Sequence, residues 1–125
     1  MNQKNIFTVI AALLALQGIA FFMMGDKVIS DSFPTLDAAG KSAAIPLLQV
    51  IAALSIGFAL VTYATRSFTQ VLGAYTLGSG ILLILTFKHK LGDHINVPIA
   101  AIIIQIFIVV SCVYLLMQTN KSKAA

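Results

Sequence analysis

The chain contains no glutamate, and it has few charges of any kind: eight Lys or Arg and four Asp among 125 residues. Charged residues make up 10% of the sequence, whereas soluble domains carry about 25%. Hydrophobic residues make up 59%. Because a domain of this size leaves a large share of its surface in water, a soluble fold could not bury so much apolar area. The composition therefore excludes a soluble globular protein.

The lack of acidic residues also limits the chemistry of an apolar interior. A proton-coupled pump needs an intramembrane acid or base, and all four aspartates lie outside the long apolar stretches. This argues against a small multidrug antiporter and against glutathione-transferring membrane enzymes, which use Glu and Arg among their helices. The only histidines, His89 and His94, share one gap, so no Ser, His and Asp set converges to activate a nucleophile. We expect no enzymatic activity.

Thiol and metal chemistry are equally restricted. The only cysteine, Cys112, lies in the last apolar stretch, which excludes an intramolecular disulfide and a CxxC relay. His89 and His94, with Asp93, form a weak pattern for a surface divalent ion, since a metal site needs three or four converging ligands. The sequence therefore predicts no metal site and no cofactor.

Four apolar stretches have the length of a membrane-spanning helix. They cover residues 6–24, 44–65, 71–87 and 97–117, with every Lys, Arg and Asp in the gaps. A bilayer core about 30 Å thick takes about 20 helical residues to cross. The sequence predicts an all-α membrane protein, an antiparallel four-transmembrane-helix bundle that forms a single membrane domain over residues 1–125. The first stretch lacks a small-x-small cleavage site, so we expect it to be retained.

The gaps contain capping and turn residues. Gly25 is a candidate C′ residue in the left-handed conformation after the first span, and Thr35 is a candidate N-cap for a helix that leads into the second. Pro46 either kinks one continuous helix or lies in the first turn of a separate one. The gap at residues 66–70 is very short, which predicts that the second and third spans form a helical hairpin.

The last gap and the distribution of charge bear on topology. Asp93 and Asn96 are candidate N-caps for the fourth span, with Pro98 in its first turn.

Lys and Arg divide equally between the two sides of the membrane, so the positive-inside rule does not decide the orientation. The N-terminal amine on one side and the aspartates on the other favour cytoplasmic termini in a bacterial inner (plasma) membrane. The basic residues are scattered, so the net charge of +4 indicates no nucleic-acid partner.

Small residues at a spacing of four mark expected contact faces, because helices in lipid associate through close packing. The candidates are Gly18 in the first span, Ala53 and Gly57 in the second, and Ala74 and Gly78 in the third. Besides the lipid bilayer, the expected partners are further copies of the chain or the subunits of a larger membrane complex.

Three glutamines lie inside the spans: Gln17, Gln49 and Gln105. They lie at similar height, about 7–12 Å from the aspartate-bearing side at about 1.5 Å per residue. Each is expected to point into the bundle or at a partner chain, because a lipid-facing amide is costly. One interpretation is interhelical hydrogen bonding. The other is a polar pocket for a ligand, lined by the three amides and Tyr75.

The sequence resembles the small four-helix bacterial membrane proteins of the DoxX-like type. The residues that carry the resemblance are Leu16-Gln17-Gly18-Ile19, residues 48–57, Ala64-Thr65-Arg66 and residues 71–78. It implies a four-helix membrane fold. Most members have no established activity, and a few are linked to quinone-coupled sulfur oxidation or to respiratory-chain partners. No catalytic residue can be carried over to this chain.

These observations predict a small polytopic membrane protein that acts by association, as an accessory or assembly subunit or as a homo-oligomer. The alternative is a binder or carrier of a small hydrophobic or lipid- or quinone-like ligand in the polar-lined pocket. A third hypothesis is a quinone-linked redox subunit that borrows its cofactor from a partner.

Overall fold

Four long helices account for most of the chain in the computed structural model, which describes residues 2–92 and 96–124, with side chains up to residue 121. The helices are α1 (Gln3–Met23), α2 (Gly25–Ser32), α3 (Ala38–Ala64), α4 (Leu72–Gly92) and α5 (Ile99–Ala124), and a 3-10 turn at Thr69–Val71 precedes α4. Every regular element in the described residues is helical, and α1, α3, α4 and α5 are long and apolar enough to cross a membrane. The predicted helical fold with four helices of spanning length is confirmed.

Capping side chains set where two of these helices begin. The Asn2 side chain accepts a hydrogen bond from the Asn5 N–H at 3.0 Å, and α1 begins at Gln3. Asp37 accepts from the Gly40 N–H at 2.7 Å, and α3 begins at Ala38. The prediction of Thr35 as the N-cap was wrong, because the carboxylate two residues later takes that position.

The segment after α1 continues as a short helix. Met24 is the C-cap of α1, and Gly25 follows it in the C′ position, but its backbone is not left-handed. Instead Gly25 is the first residue of α2, where it is buried. The position that its Cβ would occupy lies 3.8 Å from Ile45 and 3.9 Å from Leu48 of α3. α2 therefore folds back onto the first half of α3.

Two other expectations for the gaps are resolved. Pro46 lies inside α3, so one continuous helix is observed rather than two. Asn96 does not cap α5: its side-chain amide donates to the Asp31 carbonyl at 3.0 Å, and its N–H donates to the Ser32 carbonyl at 3.2 Å. Asn96 therefore ties the entry to α5 to the end of α2. Asp93, the other candidate cap, lies outside the described residues.

The long helices pack in an order that differs from the chain order. α3 packs along α1, α4 packs along α5, and α1 also contacts α5. The Gln3 side-chain amide donates to the Phe68 carbonyl at 3.0 Å, so the start of α1 lies beside the end of α3. The short turn between α3 and α4 does not produce the predicted hairpin. These two helices meet near the turn through Thr62 and Tyr75, and each finds its main contacts on another helix.

The buried core lies at one end of the molecule. It consists of Ile6, Phe7 and Ile10 of α1, Leu72 of α4, and Ile108, Cys112 and Leu115 of α5. These residues come from the start of α1, the start of α4 and the second half of α5, so the core lies at the end that carries the chain termini. Outside this cluster the contacts between α1, α2 and α3 bury further side chains such as Ile29, Leu48 and Ala52, and many large apolar side chains are exposed, with Leu77 at 72% and Ile84 at 70% on α4. Exposed apolar surface on this scale requires an apolar surrounding or a partner.

Candidate functional site

The three glutamines of the spans lie in different surroundings. Gln105 is half-buried on α5, and its Oε1 is buried without a hydrogen-bond partner. Gln17 is half-buried on α1, whereas Gln49 is exposed on α3. Among residues 2–92 and 96–124, no side-chain hydrogen bond joins any two of these amides. Within these residues the structure shows no pairing between the amides, and neither of the two cavities described below is lined by more than one of them. The shared polar pocket stays a prediction.

An apolar cavity of about 300 Å³ lies between α1 and α5, beside Gln17. Its lining also includes Leu13 and Phe21 of α1 and Ala100 and Ile104 of α5. A volume near 300 Å³ is at the lower end of the range of small-molecule sites. Of the two cavities described, this is the one whose lining includes a glutamine predicted to bind a ligand.

Tyr75 lies at a junction of all four long helices. Its hydroxyl forms a hydrogen bond with Thr62 of α3, and its ring centroid lies 5.2 Å from that of Phe7 of α1. It also packs against the core, which includes Cys112 of α5. The Thr62 hydroxyl donates its single proton to the Phe58 carbonyl at 2.6 Å, so the Tyr75 hydroxyl is the donor to Thr62. Tyr75 thus has a structural role at this junction.

Sequence reasoning missed the partner of Tyr75. Thr62 is fully buried, and the apolar residues around it in the sequence do not indicate a polar contact. Its position relative to the helix ends does indicate one. Thr62 lies within one turn of the end of α3, and Tyr75 lies within one turn of the start of α4. Two polar side chains that flank a short connection are placed to reach each other across it.

Tyr75→Phe is expected to destabilise the fold by about 1 kcal/mol, since interhelical hydrogen bonds in membranes average about 0.6 and reach about 1.7 kcal/mol. Thr62 keeps its bond to the Phe58 carbonyl, which limits the loss. Reversible unfolding in sodium dodecyl sulfate, followed by circular dichroism, measures the change. The control is Tyr114→Phe, whose hydroxyl meets Gln118 on the same helix. Equal stability of the two variants would show that the bond from Tyr75 does not hold α4 to α3.

The five predicted packing residues fall into two groups. Gly18 lies in a close contact between α1 and α3, where its Cβ would be 2.7 Å from Ile56 Cγ1. Gly57 and Gly78 have nothing within 4 Å of the corresponding position, and Ala53 and Ala74 are exposed. Only Gly18 packs a helix contact inside the chain. The other four lie on outer surfaces of α3 and α4.

Of the three candidate metal ligands, only His89 belongs to the described residues. Asp93 and His94 lie outside the described residues, and His89 is in the last turn of α4. Within the part of the chain that the structure describes, no group of three or more His, Cys, Asp or Glu is arranged to hold a metal ion. An open cavity of about 560 Å³ at this end is lined by Asp31 and Asn96, among others.

Comparison of the chain with protein-family models, with curated proteins and with solved structures finds no match. The resemblance to the DoxX-like proteins stays a prediction that rests on the quoted residues. The geometry defines a helical protein with four helices of membrane-spanning length. The features available for binding are the open glycine positions on α3 and α4 and a cavity between α1 and α5.

Proposed function

We propose that the chain is an integral membrane protein, an antiparallel four-helix bundle of a bacterial inner membrane with both termini in the cytoplasm. It acts by lateral association, as an accessory or assembly subunit or as a homo-oligomer, without catalysis of its own. The observation that carries the proposal is that the glycines in the apolar stretches of α3 and α4 are open. A Cβ at Gly57, Gly73, Gly78 or Gly80 would have nothing within 4 Å.

The open glycines destabilise their helices, and no contact within the described part of the chain compensates for this loss. Each glycine in a helix interior destabilises the helix by about 1 kcal/mol relative to alanine. Gly18 offsets that cost, because it lets α3 approach α1 closely. Open glycines offset nothing within the chain. In lipid, where helices associate through close packing at small residues, they form surfaces to which another helix can bind.

Native mass spectrometry of the protein in patches excised from its own membrane with a styrene–maleic acid polymer tests the association. We expect either a second copy or one stoichiometric membrane protein to remain bound. The double variant Gly73→Leu and Gly78→Leu fills two open positions and should leave the helical fold intact while weakening any contact through α4. A wild-type chain that occurs only as a single copy with lipid would overturn the proposal.

A second candidate function is binding of a small hydrophobic or lipid- or quinone-like ligand, which the cavity beside Gln17 favours. Ala100 is exposed and lines this cavity, so Ala100→Phe should fill it without disturbing the core. The matched control is Ile103→Phe, an exposed position of α5 outside the lining. Mass spectrometry of purified protein should find a small molecule that Ala100→Phe loses and Ile103→Phe retains. Equal retention by both variants would contradict binding in this cavity.

A further inference from the structure

Gln49 is exposed on the molecular surface, whereas the other two span glutamines are half-buried. Gln49 lies 11 residues after the start of α3 at Ala38, or about 16 Å along the axis at about 1.5 Å per residue. α3 has 27 residues and is therefore about 40 Å long. Gln49 lies well inside the helix, at a depth where a spanning α3 is surrounded by hydrocarbon.

Several hydroxyl side chains of the helices form hydrogen bonds within their own helix. The Thr8 hydroxyl donates to the Lys4 carbonyl at 2.8 Å, and the Ser55 hydroxyl donates to the Ile51 carbonyl at 2.9 Å. Gln49 makes no such bond in the described part of the chain. Lipid offers no donor or acceptor in place of water, so an exposed amide at this depth is as poorly satisfied as an unpaired amide in a dry core.

Gln49 shares one side of α3 with Ala53 and Gly57, because residues four apart lie above one another on a helix. We refer to Gln49, Ala53 and Gly57 as the Gln49 face. Ala53 and Gly57 each follow a residue that lies against α1, and Gln49 follows a residue that lies against α2, so the face is turned about 100° away from both helices. Ala53 precedes Thr62 by nine residues, or two and a half turns, and therefore points away from α4.

We propose that the Gln49 face binds the same face of a second copy of this chain, around a two-fold axis normal to the membrane; this rests on the proposed function. A carboxamide has both a donor and an acceptor, so two equivalent amides can exchange two hydrogen bonds across such an axis. All copies enter the membrane in the same orientation, which makes the two α3 helices parallel and places both Gln49 side chains at one depth. Ala53 and Gly57 have no bulk to keep the backbones apart.

Energy transfer between donor- and acceptor-labelled chains in phosphatidylethanolamine and phosphatidylglycerol vesicles, over a range of protein-to-lipid ratios, measures the association. Gln49→Leu removes both hydrogen bonds and is expected to weaken association about 8- to 300-fold, which corresponds to twice the measured free energy of one interhelical hydrogen bond. Gln49→Asn keeps a self-complementary amide and should recover part of the loss. Gly57→Leu is expected to weaken association about 10-fold or more, although leucine meets no atom of its own chain at that position.

Disulfide cross-linking locates the contact. In a Cys112→Ser background, Ala53→Cys is expected to form a dimer upon mild oxidation, because the two residues meet near the axis and a disulfide requires Cα atoms within about 7 Å. The matched control is Ile51→Cys, at nearly the same depth but about 200° around the helix. Ile51 is 50% exposed, so its thiol is accessible without lying in the contact.

The outcomes separate the two proposals. Self-association that Gln49→Leu and Gly57→Leu leave unchanged, or a cross-link at Ile51→Cys as strong as at Ala53→Cys, overturns the Gln49 face and leaves association in place. A wild-type chain that is monomeric in vesicles but holds another protein in native membrane patches overturns the second copy as partner. A chain that is solitary in both overturns the proposed function as well.

Discussion

Gly18→Leu is expected to prevent α1 from packing on α3 and to abolish the native fold. A Cβ at Gly18 would lie 2.7 Å from Ile56 Cγ1 and 2.8 Å from the Ala52 carbonyl oxygen. The isoleucine side chain can turn away, but the carbonyl belongs to the backbone of α3 and moves only with the whole helix. We expect the free energy of unfolding to fall by about 3 kcal/mol or more, the upper end of the destabilisation that overpacking causes. Unfolding in sodium dodecyl sulfate, followed by circular dichroism, measures it.

Gly78→Leu is the matched control for this change. The same substitution on α4 meets nothing within 4 Å, so the fold should persist, and replacing a helical glycine should even raise helix stability by up to about 1 kcal/mol. If Gly18→Leu unfolded no more readily than Gly78→Leu, the close approach of α1 to α3 would be refuted.

Phe7→Ala is the second change for which we expect a large effect. Phe7 is fully buried between Tyr75 and the core residues of α5. Its truncation leaves a cavity in the core. We expect the free energy of unfolding to fall by about 3 kcal/mol, the lower end for a buried phenylalanine, because in the membrane location that we propose lipid also surrounds the side chain in the unfolded state.

The only thiol of the chain reports on this change. Cys112 is fully buried in the same core, so its rate of reaction with a maleimide should rise several-fold in Phe7→Ala. Phe22→Ala provides the control, since Phe22 is 58% exposed on the same helix. A thiol that reacts equally slowly in both variants would contradict the role of Phe7 in closing the core.

The positions of the four long helices follow from the sequence because hydrocarbon length is a strong constraint. Their ends do not, since capping depends on which of several neighbouring polar residues reaches a free N–H. Thr35 and Asp37 are both suitable N-caps by type, and only the structure shows that Asp37 binds Gly40. Likewise, Gly25 follows the C-cap of α1 as predicted, but the chain there continues into α2 instead of turning.

The contacts between helices are harder to predict than the helices themselves. Gly18, Gly57 and Gly78 stand in similar patterns of small residues, yet only Gly18 lies against another helix of the chain. A spacing of four identifies a surface that permits close approach and does not identify what approaches it. For the same reason the three glutamines, which the sequence predicts to lie at similar height, have three different surroundings.

The core that joins α1 to α5 has a consequence for biosynthesis. During synthesis α1 can pair with α3 as soon as both helices exist, whereas the core around Phe7 and Leu72 is incomplete until Cys112 and its neighbours have been made. At about 5–20 residues per second, the 40 residues between them take about 2 to 8 s to synthesise. Until α5 has been made, α4 lacks the helix along which it packs. A nascent chain that ends before α5 is therefore an incomplete bundle, in which α1 lacks its core contacts with α5.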